Sequence, residues 1–233
     1  MTDDLGKRMK ENYENRTRFF LPRRTYTIIR LDGKAFHTFT RLLDKPFDID
    51  LMNTMDETAK FLCEEIQGAK LAYTQSDEIS LLLTDFEKIT TDAWFDGNIQ
   101  KIVSVSASMA AVIFNDIKTF CPNDMAFFDS RVFTIPDPIE VENYFVWRQK
   151  DAVRNSIAMT AQSLYSHKEL NGKSQADQQE MIFQKGQNWN DMPDGFKRGR
   201  MVLYKENDWE IIPAIDILKD RETFRALIPK IIA

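Results

Sequence analysis

The sequence predicts an α+β domain with a ferredoxin-like β-α-β-β-α-β core, and three observations carry that expectation. Residues 25–31 (TYTIIRL) are dense in β-branched and aromatic residues and stop at Asp32-Gly33, a strand closed by a turn signal. Two short apolar runs, 70–75 and 79–83, flank Ser76-Asp77-Glu78 and read as a hairpin with an acidic tip. Two stretches of helical spacing then alternate with these strands in the order of a split βαβ sheet.

Each element has its own warrant. In 50–67 the apolar positions Leu51, Met55, Thr58, Leu62 and Ile66 recur near helical spacing, Met52 and Ala59 widen the stripe, and Asp50 is the expected N-cap. Residues 97–117 repeat the pattern through Ile99, Ile102, Val103, Ser106, Met109, Ala110 and Ile113, and 126–134 (AFFDSRVFT) supplies a fourth strand. The two helices should cover one sheet face and leave the other free for a substrate. Past Pro138 the pattern changes: 140–168 predicts a long helix, 169–196 is polar with Gly172, Gly186 and Gly195, and 200–205 (RMVLYK) predicts another strand. The stretch QADQQEMIFQ reads as a helix docked by Met181, Ile182 and Phe183, and no internal repeat or low-complexity tract is visible. The organisation expected is a core with an N-terminal arm over 1–137 and an extension over 138–233 packed on it.

With 233 residues, 43% of them apolar, the chain can bury a real core without disulfide or metal staples. Cys63 and Cys121 fall in no metal-ligand spacing, which argues against zinc and fits a reducing compartment. There is no signal-peptide-like start and no membrane-length apolar run, so a soluble cytoplasmic protein is expected. The net charge of −5 argues against unselective binding to a polyanion. Local basic patches exist nonetheless. Lys7, Arg8, Lys10, Arg16, Arg18, Arg23, Arg24 and Arg30 stand early in the chain, and Lys197, Arg198 and Arg200 late. Either group also fits an ordinary solvated surface.

The chemistry centres on two aspartates. Asp32 closes the first strand and Asp77 lies in the turn between the second and third; a split βαβ sheet pairs the first and third strands, so both carboxylates reach one sheet edge, with Glu78 beside them. Two hard carboxylates suit Mg²⁺, which keeps waters for phosphates to replace, and Gly33 lets its carbonyl approach a metal or phosphate closely. A common Asp-Gly turn and a solvated hairpin tip are the plain alternatives. Arg30, Lys34, Lys45 and the Lys197-Arg198 pair are candidate triphosphate partners, or ordinary surface cations. His37 also reads as a structural hydrogen bonder and His167 as a surface residue near a helix end. Phe19, Phe20 and the hydrophobic residues of 126–135 default to core, and Trp147 packs or stacks.

The blocks Arg30-Leu31-Asp32-Gly33-Lys34-Ala35-Phe36-His37-Thr38-Phe39-Thr40 and Tyr73-Thr74-Gln75-Ser76-Asp77-Glu78 resemble the signature of the tRNA(His) guanylyltransferase family, especially its guanylyltransferase-like branch. The resemblance extends over FDSRVF at 128–133, Trp147-Arg148-Gln149 with Asp151 and Asn155, and Lys197-Arg198-Gly199, so it spans most of the chain. It implies a polymerase-type palm that extends RNA in the 3′-to-5′ direction. Asp32, the Gly33 carbonyl and Asp77 match the ligands of two Mg²⁺ ions, and Glu78 matches a neighbouring acidic residue needed for catalysis. Lys34, Phe36, His37, Lys45, Ser76, Asn155 and Arg198 match positions at or near the nucleotide and triphosphate sites. The implied substrates are ATP, which adenylylates a 5′-monophosphate, and GTP or another nucleoside triphosphate, whose 3′-hydroxyl displaces AMP. The implied partner is tRNA and the implied assembly a homotetramer.

One departure stands out. Eukaryotic tRNA(His) enzymes share a His-Ile-Asn-Asn block where this chain has Val153-Arg154-Asn155-Ser156, so template-dependent repair of 5′-truncated tRNA is expected over obligatory addition of an untemplated G to tRNA(His). A nucleotide cyclase would make product from triphosphate alone, and a silent RNA-binding palm would tolerate loss of both aspartates.

Overall fold

The computed structural model describes residues 4–231. In chain order the elements are α1 (Leu5–Asn12), β1 (Tyr26–Gly33), α2 (Phe36–Phe39), α3 (Ile49–Glu65), β2 (Ala69–Gln75), β3 (Glu78–Leu83), α4 (Ile99–Ile117) and β4 (Phe128–Ile135). Then follow α5 (Pro138–Leu164), α6 (His167–Leu170), α7 (Gln175–Gln184), α8 (Asp194–Arg198), β5 (Arg200–Lys205), β6 (Asp208–Pro213) and α9 (Arg221–Arg225). One six-stranded sheet has the order β4-β1-β3-β2-β5-β6, and the pairings β1–β3, β1–β4, β2–β3, β2–β5 and β5–β6 are all antiparallel. The expected β-α-β-β-α-β core is present with β1 and β3 side by side. Among the described residues no helix is long and apolar enough to cross a membrane.

The sheet is buried on both sides, which corrects the expectation of a free face. Ile29, Leu31, Ile79 and Leu81 point to α3 and α4, where they meet Met55, Leu62, Ile102 and Phe114. The alternate residues Ile28, Tyr73 and Leu82 point the other way, onto Val141 and Phe145 of α5 and onto Ile217 and Phe224 near the C-terminus. Strand β3 is buried along its whole length, so the run Ile79-Ser80-Leu81-Leu82-Leu83 is the mark of a strand covered on both faces. A substrate must therefore enter at the end of the sheet.

Several boundaries move for identifiable reasons. The N-cap of α3 is Asp48, whose extended backbone lets its carboxylate accept from the Leu51 N–H at 2.9 Å; Asp50 already sits inside the first turn. Asp137 caps α5 ahead of Pro138, and Ser166 opens a separate capping box with Glu169, so the long helix ends at Leu164. Of the three residues expected to dock α7, Ile182 is buried, Met181 is partly covered and Phe183 is exposed. Phe19, Phe20 and Phe127, read as core, are exposed. The N-terminal arm is instead tied down through its backbone: Leu21 N–H donates to the Gly97 carbonyl and Ile99 N–H to the Phe19 carbonyl.

Candidate active site

Asp32 stands at the end of β1, opposite Glu78 on β3 and Asp129 on β4. The two-residue turn Ser76-Asp77 brings the second aspartate to the same edge, and Gly33 N–H donates to the Asp77 carbonyl at 3.1 Å. Ser76 holds a φ of 50°, a left-handed conformation unusual for a residue with a Cβ and typical of strained backbone at functional sites. Burial, and then the charge of Asp32, push the Asp77 carboxyl above its ordinary range, against the pull of its own N–H and the Ser76 hydroxyl. Burial and the neighbouring Asp129 push Asp32 the same way, opposed by Arg131, Arg30 and Arg148. Both carboxyls are thus held above their ordinary range chiefly by burial, and their hard oxygen donors suit Mg²⁺. A Cβ at Gly33 would collide with the Phe36 ring, so glycine is required for the chain to turn this closely around the edge.

Ala35 also adopts the left-handed region, with φ of 55°, and starts the single turn α2. That turn sends Phe36 into the core against Phe114 and Phe128 while His37 faces a cavity of about 510 Å³. Gly33, His37, Lys45, Ser76, Asp77 and Asn155 belong to its polar lining, together with Asp44, Asp48, Gln75, Gln162 and Arg200. Phe47, Leu51, Met52, Met159 and Phe196 form an apolar part, with the Phe47 and Phe196 rings 4.3 Å apart. Lys45 is steadied by the Thr40 carbonyl, 3.1 Å from its ammonium, and the His37 ring lies 3.0 Å from the Thr38 hydroxyl. A cavity that combines cationic and hydrogen-bonding groups with flat apolar walls has the chemistry of a nucleotide site.

Seven of the residues named from sequence meet at this cavity: Gly33, Phe36, His37, Lys45, Ser76, Asp77 and Asn155. The others lie outside its lining. Asp32 stands on the rim beside Arg131, whose guanidinium is 3.9 Å away. Lys34 extends over the Phe127 ring at 5.8 Å. Glu78 is the first residue of β3 and not part of the turn; its carboxylate accepts from Arg148 Nε at 2.7 Å and Nη2 at 2.6 Å, both partners buried. Arg198 is engaged by Asp216 at 2.9 Å and Asp194 at 2.6 Å. Sequence reasoning missed Arg200 and Gln162 in the cavity wall. Arg200 is buried, with Nε donating to both Asp56 oxygens at 2.9 Å, and Thr74 donates to the same carboxylate at 2.7 Å. The late basic cluster pointed to this neighbourhood without separating Arg200, which enters the wall, from Arg198, which does not.

Residues 6–136 match the family model described as tRNAHis guanylyltransferase. The chain is similar to the tRNA(His) guanylyltransferase of Debaryomyces hansenii, 31% identical over 83% of this chain and 78% of the relative. Among solved structures it resembles a bacterial tRNA(His) guanylyltransferase-like protein in complex with ATP, with a TM-score of 0.91 and 46% identity over 96% of this chain and 99% of the other. A bacterial tRNA(His) guanylyltransferase-like protein in complex with GTP gives 0.84 and 44%, over 97% of this chain and 99% of the other.

Proposed function

This chain belongs to the tRNAHis guanylyltransferase family, and we propose that it adds nucleotides to the 5′ end of tRNA at the Asp32–Asp77 edge, with the incoming nucleoside triphosphate seated in the adjoining cavity. The observation that carries this reading is the convergence of Gly33, Ser76 and Asp77 with His37, Lys45 and Asn155 on one cavity. ATP and GTP are the nucleotides found with the bacterial relatives, and both are substrates in this reading.

Asp32, the Gly33 carbonyl and Asp77 would hold two Mg²⁺ ions. Metal held there would supply a lower pKa for an attacking hydroxyl and stabilisation of charge on the leaving phosphate. The chain's own residues do the positioning. Lys45 and the Ser76 hydroxyl offer donors to a triphosphate, Asn155 offers an amide from α5, and His37 approaches from α2. The apolar walls exclude water from one side of the base. Glu78 acts at one remove: its buried pair with Arg148 fixes α5, and hence Asn155, against the end of β3.

The finer reading is template-dependent 3′-to-5′ repair of 5′-truncated tRNA. Its support is the Val153-Arg154-Asn155-Ser156 segment, where only Asn155 and Ser156 meet the cavity while Arg154 turns outward to Asp151. In this reading pairing with the opposite acceptor strand selects the nucleotide, since protein contacts to phosphate carry no sequence information. The same reading has the protein working in the cytoplasm as a homotetramer, on the family resemblance. Incubation of labelled 5′-monophosphorylated tRNA lacking its first nucleotide with ATP, Mg²⁺ and each nucleoside triphosphate tests it. Addition should follow the opposing base when that base is changed. Selection of GTP against every template would restore the tRNA(His)-specific activity.

A further inference from the structure

Trp147 lies outside the cavity lining, and neither the cavity nor the core accounts for it. It follows Tyr144, Phe145 and Val146, all buried, yet is 54% exposed. The ring is held from two directions. Tyr144 meets it edge-on with centroids 5.9 Å apart, and the Arg148 guanidinium lies 4.4 Å from its centroid. Arg148 is itself immobilised by Glu78 and by Asp151 at 2.9 Å, so the indole rests on a fixed support while much of its surface remains open.

Two further guanidinium groups border this ledge. Arg30 precedes Asp32 by two residues on β1, which places both on one face of the strand. Its guanidinium is 5.8 Å from the Trp147 ring, and its buried Nε has no hydrogen-bond partner among the described residues. Arg131 faces Arg30 in register on β4 and reaches toward Asp32 at 3.9 Å and Asp129 at 3.3 Å. An open aromatic surface, an unpaired donor and a second cation therefore adjoin Asp32 on residues that do not line the nucleotide cavity.

We propose that this ledge seats the 5′ end of the RNA, with the terminal base stacked on Trp147 and the 5′ phosphate against Arg30, so that RNA and nucleoside triphosphate are held near Asp32 by separate sets of residues. The inference rests on the functional reading above and deepens it. Every base has a π-face, so stacking accepts any terminal nucleotide, as repair of varied tRNAs requires. The cations contact phosphate and read no sequence. Trp147 is a positioning residue for the RNA and plays no part in holding the triphosphate.

The test compares wild type, Trp147→Ala and Trp147→Phe in steady-state addition to 5′-triphosphorylated tRNA, with KM measured separately for tRNA and for the nucleotide. Loss of one base–aromatic stack should raise the tRNA KM on the order of tenfold. The nucleotide KM should stay unchanged, and phenylalanine should recover most of the loss. An unchanged tRNA KM in Trp147→Ala, or a parallel rise in both KM values, would overturn the proposal. Intrinsic fluorescence supplies a readout independent of turnover, using a 5′-phosphorylated acceptor-stem duplex as probe. Quenching in wild type that disappears in Trp147→Phe supports the ledge even if no addition occurs, in which case the functional reading alone fails. Equal quenching in both proteins overturns the ledge.

Discussion

The acids of this domain fall into two groups that the fold partners differently. In the interior, Glu78 and Asp56 each face an arginine that contacts both carboxylate oxygens, Arg148 in one case and Arg200 in the other. At the end of the same sheet, burial pushes both Asp32 and Asp77 above the ordinary carboxylate range, Asp129 adding to the shift of Asp32 and Asp32 to that of Asp77, and the nearest guanidinium to Asp32 is 3.9 Å away. Paired acids join elements: β3 to α5 through Glu78, and α3 to β5 through Asp56. The aspartate edge has no such two-oxygen partner, and burial holds its carboxyls above their ordinary range. Carboxyls perturbed in this way are expected where a cation and a polyanionic substrate complete the site.

The contrast predicts a double dissociation. Asp32→Asn or Asp77→Asn should abolish 5′ nucleotide addition while preserving the fold, as judged by rates paired with circular dichroism. Arg148→Ala should act mainly on stability. Leaving Glu78 buried without its partner costs about 3–5 kcal/mol, which denaturant titration would register as a large fall in midpoint. If Arg148→Ala melts like wild type, the distinction between joining acids and site acids fails.

The difference between these groups was only half legible in the sequence. Asp32-Gly33 and Ser76-Asp77 announce themselves because turn chemistry is local: a glycine ends a strand, and short polar residues interrupt two apolar runs. Glu78 follows Asp77 directly, and nothing local reveals that it has entered β3 and turned toward a helix 70 residues downstream. The same limit hides the covered second face, since α5 shows its packing only against a sheet that does not exist in one dimension. Strand β6 escaped because its hairpin turn, Glu206-Asn207, takes left-handed φ values without a glycine to mark them. Arg198 and Arg200 are two residues apart and meet different acids, Asp216 and Asp56, which tertiary structure alone decides.

A smaller effect sharpens the cavity. Lys45→Ala removes an exposed cation steadied by the Thr40 carbonyl, so it should raise the nucleotide KM with little change in stability. Arg198→Ala should do the reverse, because its guanidinium already pairs with Asp194 and Asp216. A larger nucleotide KM effect from Arg198→Ala would move the triphosphate toward α8.

The pH dependence follows from the raised aspartates. Between the ordinary carboxylate value and the raised one, the folded protein holds a proton on Asp77 that the unfolded chain has released, so this group makes the metal-free fold less stable as pH rises through that window. Metal binding needs the ionised form. The stabilisation produced by Mg²⁺ should therefore fade on acidification at a higher pH than an ordinary exposed carboxylate would dictate, which melting curves across that range would show.

The most direct test of the central claim is the melting temperature of wild type and Asp77→Asn, each without metal and with saturating Mg²⁺. The neutral amide relieves both the burial of charge and the repulsion from Asp32, so the variant should melt higher than wild type in the absence of metal. Wild type should gain stability when Mg²⁺ is added, and the variant should gain little. An Asp77→Asn protein that melts lower than wild type and responds to Mg²⁺ as fully would contradict the assignment of this edge to metal-dependent nucleotide transfer.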